Sequence, residues 1–449
     1  MAVPELNLTE DALKELIAAE LTAVRGRSLG LTTEALDDAG LTAQVSPLMS
    51  PLVWDLAHVG NYEELWLLRV AAGIEPMRPE IDDLYDAFEH PRAERPTLPL
   101  LSPGESSAYI DVVRAKVLDS LSRVRFRPDD PLTAGGFVYG MVVQHEHQHD
   151  ETMLATHQLR PGAPALIDPE PAGADAAPAD RRAAPAEVLV EAGPFTMGVS
   201  DDPWAYDNER PGHVVDLPAY YIDTMPVTCG GYLAFMEAGG YDDPRWWRPG
   251  GWEWRSTSGK RAPAFWFREG GQWLRRRFGR VEPVPLDQPV QHVCWYEADA
   301  YARWAGRRLP TEAEWEKAAC WDPGARRSRR YPWGDAPPDP SRANLGQRLL
   351  RPAAVGSYPG GASAYGVEHL LGDVWEWTSS DFAGYPGFRS FPYKEYSEVF
   401  FGPDYKVLRG GSWATDGSVS RSTFRNWDFP IRRQIFAGFR CARSADGGR

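Results

Sequence analysis

The chain has 449 residues, too many for one hydrophobic core, and its 43% apolar and 25% charged residues are ordinary for a soluble globular protein. Its 63 acidic residues outnumber 48 basic ones, leaving a formal charge of −15. That balance argues against nucleic acid as the main partner, which needs a concentrated positive surface. No uncharged apolar run approaches the roughly 20 residues of a membrane span, and the acidic N-terminal segment lacks a signal-length apolar core. The four cysteines, Cys229, Cys294, Cys320 and Cys441, lie far apart without CxxC spacing, which argues against a disulfide framework or a zinc ribbon. The expectation is a cytoplasmic protein with no membrane or nucleic-acid partner.

Residues 1–160 read as helices. Thr9 is placed to cap a helix that continues through DALKELIAAELTAVRGR. Residues 47–72 put Trp54, His58, Tyr62 and Leu65 on one face. A third helix is expected over 103–124 and a fourth over 135–159. With one long connection at 74–101, the pattern predicts a four-helix bundle, a fold that builds metal sites from inward side chains on facing helices. Residues 161–186, dominated by Pro, Ala and Gly, read as a linker. From 187 to 449 short β-like pieces alternate with Gly/Pro turns and Trp-rich segments. Short helices are expected near 229–238, near 295–305 and after Thr311, where Glu314 stands at capping-box spacing. The arginine-rich run 326–330 reads as a solvated loop.

The chemistry concentrates in the fourth helix. His145 and His149 are one turn apart and can reach one metal, whereas His147 projects from the other side and is expected at the surface. Glu151, two positions further on, reads as a weak ligand or a supporting group. Phe137, Met141 and Val142 share the apolar face of the histidine pair, which points both imidazoles into the bundle. His58, in the middle of an apolar face on another helix, supplies a third candidate. Three neutral imidazoles without a thiolate suit either Zn(II) or Fe(II), and spacing does not choose between them.

The second half carries an ordered series of motifs. PFTMG at 194–198 and PVT at 226–228 are followed by QPV at 288–290, ahead of Trp295. RLPTEAEWE at 308–316, YPWG at 331–334, GDVWEW at 372–377, RGGSW at 409–413 and GFR at 438–440 complete it. Together they resemble the formylglycine-generating-enzyme (sulfatase-modifying factor) domain, which implies an α+β, C-type-lectin-like fold. The first half resembles a DinB-type bundle, whose HxxxHxE motif falls on His145, His149 and Glu151. The joined pair resembles the iron(II)-dependent sulfoxide synthases of ergothioneine biosynthesis.

That resemblance implies a two-domain enzyme, with the bundle at 1–160 and the second domain at 187–449. It also implies Fe(II) on His58, His145 and His149, with hercynine, γ-glutamylcysteine and dioxygen as substrates. Gln148 would touch the hercynine imidazole, Asn426 would orient its carboxylate, and Trp427 and Phe429 would face its trimethylammonium group. Arg92 and Arg95 would hold the carboxylates of γ-glutamylcysteine, and Asp428 its ammonium. A tyrosine near the iron would donate a proton. Among Tyr385, Tyr393 and Tyr396 the FPYKEYS spacing favours Tyr393, leaving Tyr396 beside the substrates. Related domains also hold a structural calcium, here near 372–375. Thr415 and Ser420 stand where formylglycine generators carry two cysteines, so copper–thiol chemistry is not expected. Rival readings are a synthase that takes cysteine as sulfur donor, as in ovothiol formation, a non-catalytic metal-stabilised binding module, and a zinc hydrolase or thiol transferase.

Overall fold

The computed structural model describes residues 8–162, 164–166 and 186–445, so the linker expected at 161–186 lies largely outside the described residues. The first half is helical: α1 (Glu10–Leu31), α2 (Asp38–Thr42), α3 (Leu52–Glu63), α4 (Asp82–Tyr85), α5 (Pro103–Leu121) and α6 (Phe137–Leu159). Local chemistry sets the ends. Thr9 accepts from the Ala12 amide at the start of α1, and Ser102 with Glu105 forms a capping box on α5. Pro51 delays the second long helix to residue 52, five positions later than expected, because a proline and the residue before it are biased away from the helix interior.

α3 continues as a π-helical stretch, Glu64–Val70, in which Ala71 N–H reaches the carbonyl of Trp66. The wider turn rotates the side chains beyond it relative to those of α3. Leu65, expected on the inner face, is exposed, and Trp66 packs inward against Tyr62 instead.

α1, α3, α5 and α6 form the bundle. Its centre holds a charged quartet rather than an apolar plug. Arg25 pairs with Glu146 at 2.7 Å and Glu63 at 2.8 Å, while Arg114 pairs with Glu63 at 2.5 Å and Glu146 at 2.9 Å. Two guanidiniums against two carboxylates balance the buried charge, and removing any one member strands its partners.

The second half is mixed α/β. Its strands are β1 (Glu187–Val190), β2 (Gly193–Met197), β3 (His213–Leu217), β4 (Tyr220–Asp223), β5 (Trp266–Glu269), β6 (Gln272–Arg277), β7 (Arg280–Pro283), β8 (Trp321–Asp322), β9 (Arg327–Ser328), β10 (Trp375–Phe382), β11 (Gly402–Arg409), β12 (Arg425–Asp428), β13 (Ala437–Gly438) and β14 (Ala442–Ser444). Its helices are α7 (Cys229–Glu237), α8 (Pro249–Ser258), α9 (Trp295–Trp304) and α10 (Glu312–Cys320), the last opened by the expected Thr311–Glu314 capping box. The sheet that matters most runs β12-β11-β10-β13, with β13 parallel to β10. Register pairs Trp427 with Val407 and Asn426 with Leu408, so β12 is an edge strand. The run 326–330 is better anchored than a solvated loop. Arg327 lies in the β8–β9 hairpin, and Arg329 and Arg330 pair with Asp322 and Asp202. All four cysteines are free and buried. Among the described residues no helix is long and apolar enough to cross a membrane.

The halves share one core, in which Leu13, Trp54 and Tyr139 join Trp204, Tyr206, Trp375 and Phe424. Trp204 is the main key in this seam. Its indole is fully buried against Gly140 of α6, where an added Cβ would stand only 2.3 Å from the ring. Arg421 binds Glu209 in its own half at 2.7 Å and reaches Gln144 of α6 at 2.8 Å.

Candidate metal centre

α3 and α6 face each other with three imidazoles between them. The Nε2 atoms of His58 and His145 are 3.3 Å apart, and one donor atom from each of His58, His145 and His149 lies within 4.8 Å of the others. The remaining nitrogens are oriented from behind. His58 Nδ1–H donates to the Tyr85 carbonyl at 2.7 Å, and His149 Nδ1–H donates to Asp55 at 3.0 Å. A carbonyl can only accept, so on His58 the proton sits at Nδ1 and the Nε2 lone pair points to the shared position. Burial, reinforced by the neighbouring histidines, holds His58 and His145 well below the usual imidazole pKa, so both are neutral at pH 7 and each keeps a free lone pair. This donor set fits a first-row divalent cation such as Fe(II) or Zn(II).

Aromatic rings fix the rest. Trp54 stacks on His58 with centroids 4.5 Å apart, and Tyr62 stacks on His145 at 3.7 Å. Tyr393 arrives from the second half. Its hydroxyl is 2.9 Å from that of Tyr62, and its ring lies over Trp66 at 5.4 Å. Burial raises the Tyr393 phenol well above the usual tyrosine range, which keeps its proton in place at neutral pH. Tyr396 stacks on Tyr206 at 4.1 Å, while Tyr385 sits apart in a packing cluster with Phe195 and Met197.

A cavity of about 400 Å³ opens between the halves, and Arg92, Gln148, Tyr396, Asn426, Trp427, Asp428 and Phe429 all line it. Gln148 donates to the Tyr206 hydroxyl at 3.1 Å, which leaves its carbonyl oxygen as an acceptor. Asn426 accepts from the Trp427 amide at 2.8 Å, which leaves its NH₂ group as a donor. Trp427 is held flat by Phe382 at 4.0 Å. Burial, only partly offset by Arg432, raises the Asp428 pKa.

Three residues sit otherwise than the sequence suggests. Arg95 does not appear in the cavity lining. A short 3-10 turn folds it inward, where it donates to Ser50, the His90 carbonyl and the Ala87 carbonyl and lies 3.5 Å over Trp54. Its guanidinium is spent supporting the Trp54–His58 stack. His147 is buried rather than at the surface, because α1 and the loop around Asp416 cover the far side of α6. Glu151 stands outside the three-histidine cluster and latches the halves together instead. It accepts from Trp375, Ser412 and Thr415, the last a position expected to be cysteine in formylglycine generators. At 372–375 both oxygens of Asp373 accept protein hydrogen bonds, from Asn344, the Ala353 amide and His369. Sequence reasoning missed Asp55, although it lies three positions before His58 on the same helix, a spacing that shares a face.

Two family models match. Residues 20–153 match the DinB superfamily and residues 173–445 the sulfatase-modifying factor enzyme 1-like domain. The fold and site therefore define a class, a DinB bundle fused to a sulfatase-modifying-factor domain with a three-histidine cluster beside their seam. Hercynine oxygenase of Mycolicibacterium thermoresistibile is 53% identical over 438 residues, covering 96% of this chain and 95% of that protein. The hercynine oxygenase of Mycobacterium tuberculosis is also 53% identical, covering 95% of this chain and 98% of its own length. The formylglycine-generating enzyme of Streptomyces coelicolor is 35% identical over 293 residues, 58% of this chain and 90% of that protein. The chain belongs to the hercynine oxygenase family and is an oxygenase.

Proposed function

We propose that the chain uses dioxygen to join the sulfur of γ-glutamylcysteine to imidazole C2 of hercynine. The carrying observation is that Arg92, Gln148, Tyr396 and the segment 426–429, far apart in sequence, line one cavity bordered by α6, the helix that also carries His145 and His149 of the triad. The stoichiometry closes. Hercynine loses its C2 hydrogen, the thiol loses its hydrogen, one oxygen atom becomes the sulfoxide oxygen, and the other leaves as water.

Fe(II) held by His58, His145 and His149 would supply the redox chemistry with dioxygen. The protein supplies position and one proton. Trp427 and Phe429 receive the trimethylammonium group, which cannot donate strong hydrogen bonds and so favours aromatic faces. Asn426 donates to the hercynine carboxylate, and the Gln148 carbonyl accepts from the imidazole N–H. Asp428 takes the ammonium of the sulfur donor. With Arg95 turned elsewhere, the arginines in the cavity lining are Arg92, Arg425 and Arg432. Arg425 is committed to Glu312, which leaves Arg92 and Arg432 to fit the two carboxylates of a γ-glutamyl dipeptide. Tyr393 delivers its phenolic proton, with the Tyr62 hydroxyl fixing its direction.

The test is anaerobic reconstitution with Fe(II), then air, with hercynine and either γ-glutamylcysteine or cysteine, followed by mass analysis. The expected product is the γ-glutamylcysteinyl sulfoxide conjugate. Faster turnover with cysteine would replace the donor, and products without a carbon–sulfur bond would overturn the reading.

A further inference from the structure

On the side of α6 turned away from the triad lies a second gathering of ligand-type side chains. Glu20 of α1, His147 of α6 and Asp416, in the loop after β11, are all buried, and each offers a donor atom within 4.8 Å of the others. His147 is 4% exposed, and both its ring nitrogens lack a hydrogen-bond partner. Its Nδ1 is 3.5 Å from Asp150 and its Nε2 is 3.8 Å from Asp416 Oδ1. Glu20 Oε2 and Asp150 Oδ2 are unpartnered as well. A buried imidazole and two buried carboxylates left unsatisfied in one place are costly unless something joins them.

The charges point the same way. Glu20, Asp150 and Asp416 bring three carboxylates together, against which Arg27 sets one guanidinium, 2.9 Å from Asp416 Oδ2. With all three ionised, two negative charges are left over, the amount one divalent cation neutralises. Asp416 is already oriented, since Ser418 donates to Oδ1 through its amide and its hydroxyl, both at 2.9 Å.

We propose that Glu20, His147 and Asp416 bind a divalent cation of the zinc class, forming a second metal site that staples α1 and α6 to the C-terminal half. His147 ligates through Nε2 and donates Nδ1–H to Asp150, the carboxylate–histidine–metal arrangement that fixes tautomer and ring direction. Zinc bonds of about 2.0–2.2 Å at tetrahedral angles place neighbouring donors about 3.4 Å apart. The 3.8 Å gap between His147 and Asp416 thus needs a contraction of a few tenths of an ångström. Nitrogen and carboxylate donors without thiolate suit Zn(II). His147 and Asp416 also line the interdomain cavity, which gives the ion a route of entry.

The test uses the full chain. Protein stripped with a chelator under anaerobic conditions is reloaded with Zn(II), desalted, and its metal counted by plasma mass spectrometry. Wild type is expected to retain two equivalents. His147→Gln and Glu20→Gln should each retain one, and the double variant His58→Ala/His149→Ala should retain the other. In that double variant, stripping the remaining metal should still lower the melting temperature. A wild type holding one equivalent that vanishes with His58→Ala/His149→Ala would overturn the proposal. So would two equivalents persisting in both the His147 and Glu20 variants. Anomalous scattering at the zinc edge decides the matter without relying on a variant to fold. A peak among Glu20, His147 and Asp416 supports the site, and its absence from zinc-loaded crystals would overturn it.

Discussion

Replacing Gly140 by alanine adds one methyl group to the centre of the interdomain seam. The new Cβ would lie 2.3, 2.5 and 2.6 Å from Cδ2, Cγ and Cε2 of Trp204. Carbon atoms rest at about 3.5–4.0 Å, so the indole must retreat by more than an ångström. It has little freedom to do so, because its Nε1–H donates to the Gly135 carbonyl at 3.2 Å and its backbone carbonyl accepts from Gln144 at 3.0 Å. Overpacking of this kind costs about 1–3 kcal/mol. Expulsion of the ring would cost about as much as its truncation, 3–5 kcal/mol. Helix propensity returns about 1 kcal/mol for Gly→Ala. The expected result is net destabilisation of about 2 kcal/mol, read from the urea unfolding midpoint. A double-mutant cycle with Trp204→Ala isolates the contact. With the indole gone, Gly140→Ala should become neutral or stabilising by up to about 1 kcal/mol. Equal cost in both backgrounds, or a stabilised single variant, would refute this account of the seam.

Asp55→Ala removes the acceptor behind His149 and should lower the affinity of the triad for Fe(II) by about 10–100-fold, measured by chelator competition. Tyr393→Phe should bind both substrates but shift products from the carbon–sulfur conjugate toward the oxidised thiol, whereas Tyr385→Phe should leave the product ratio unchanged. Asp207 holds the loop that carries Tyr393 and Tyr396, accepting from Ser397 and the Phe391 amide. Burial raises its pKa from 3.8 to about 6, so the native state holds this proton more tightly than the unfolded chain. Its contribution to stability is fully present below pH 3.8 and lost as pH rises through 6. Asp207→Asn should therefore flatten the pH–stability curve across that window, by up to about 3 kcal/mol, in urea titrations at several pH values.

What could be read from the chain was local. His145 and His149 share a face because a helix repeats every 3.6 residues, and Thr9, Ser102 and Thr311 cap helices through bonds three residues long. What escaped depended on distant partners. His147 reads as exposed because a bundle helix ordinarily keeps a solvated face, yet the second domain and α1 cover that face here. Arg95 matches the spacing of a substrate-binding arginine, but its direction is set by a 3-10 turn and by Ser50, far back in the chain. Leu65 was misplaced by a π-helical stretch that no periodicity announces.

α6 shows why the seam and the metal centre belong together. Its segment QHEHQHDE is among the most polar in the bundle, yet every residue in it is buried or half-buried. Such a helix is costly unless its polar groups find partners, and His147 apart, each residue of the segment has one. His145 and His149 meet His58 of α3, and Glu146 meets Arg25 and Arg114. Asp150 takes the Ser28 hydroxyl of α1, and Gln148 and Glu151 take Tyr206 and Thr415 from the second half. Neither half alone satisfies this helix. Docking of the second domain is therefore part of building the candidate metal centre, since it helps set the axial position and rotation at which His145 and His149 face α3.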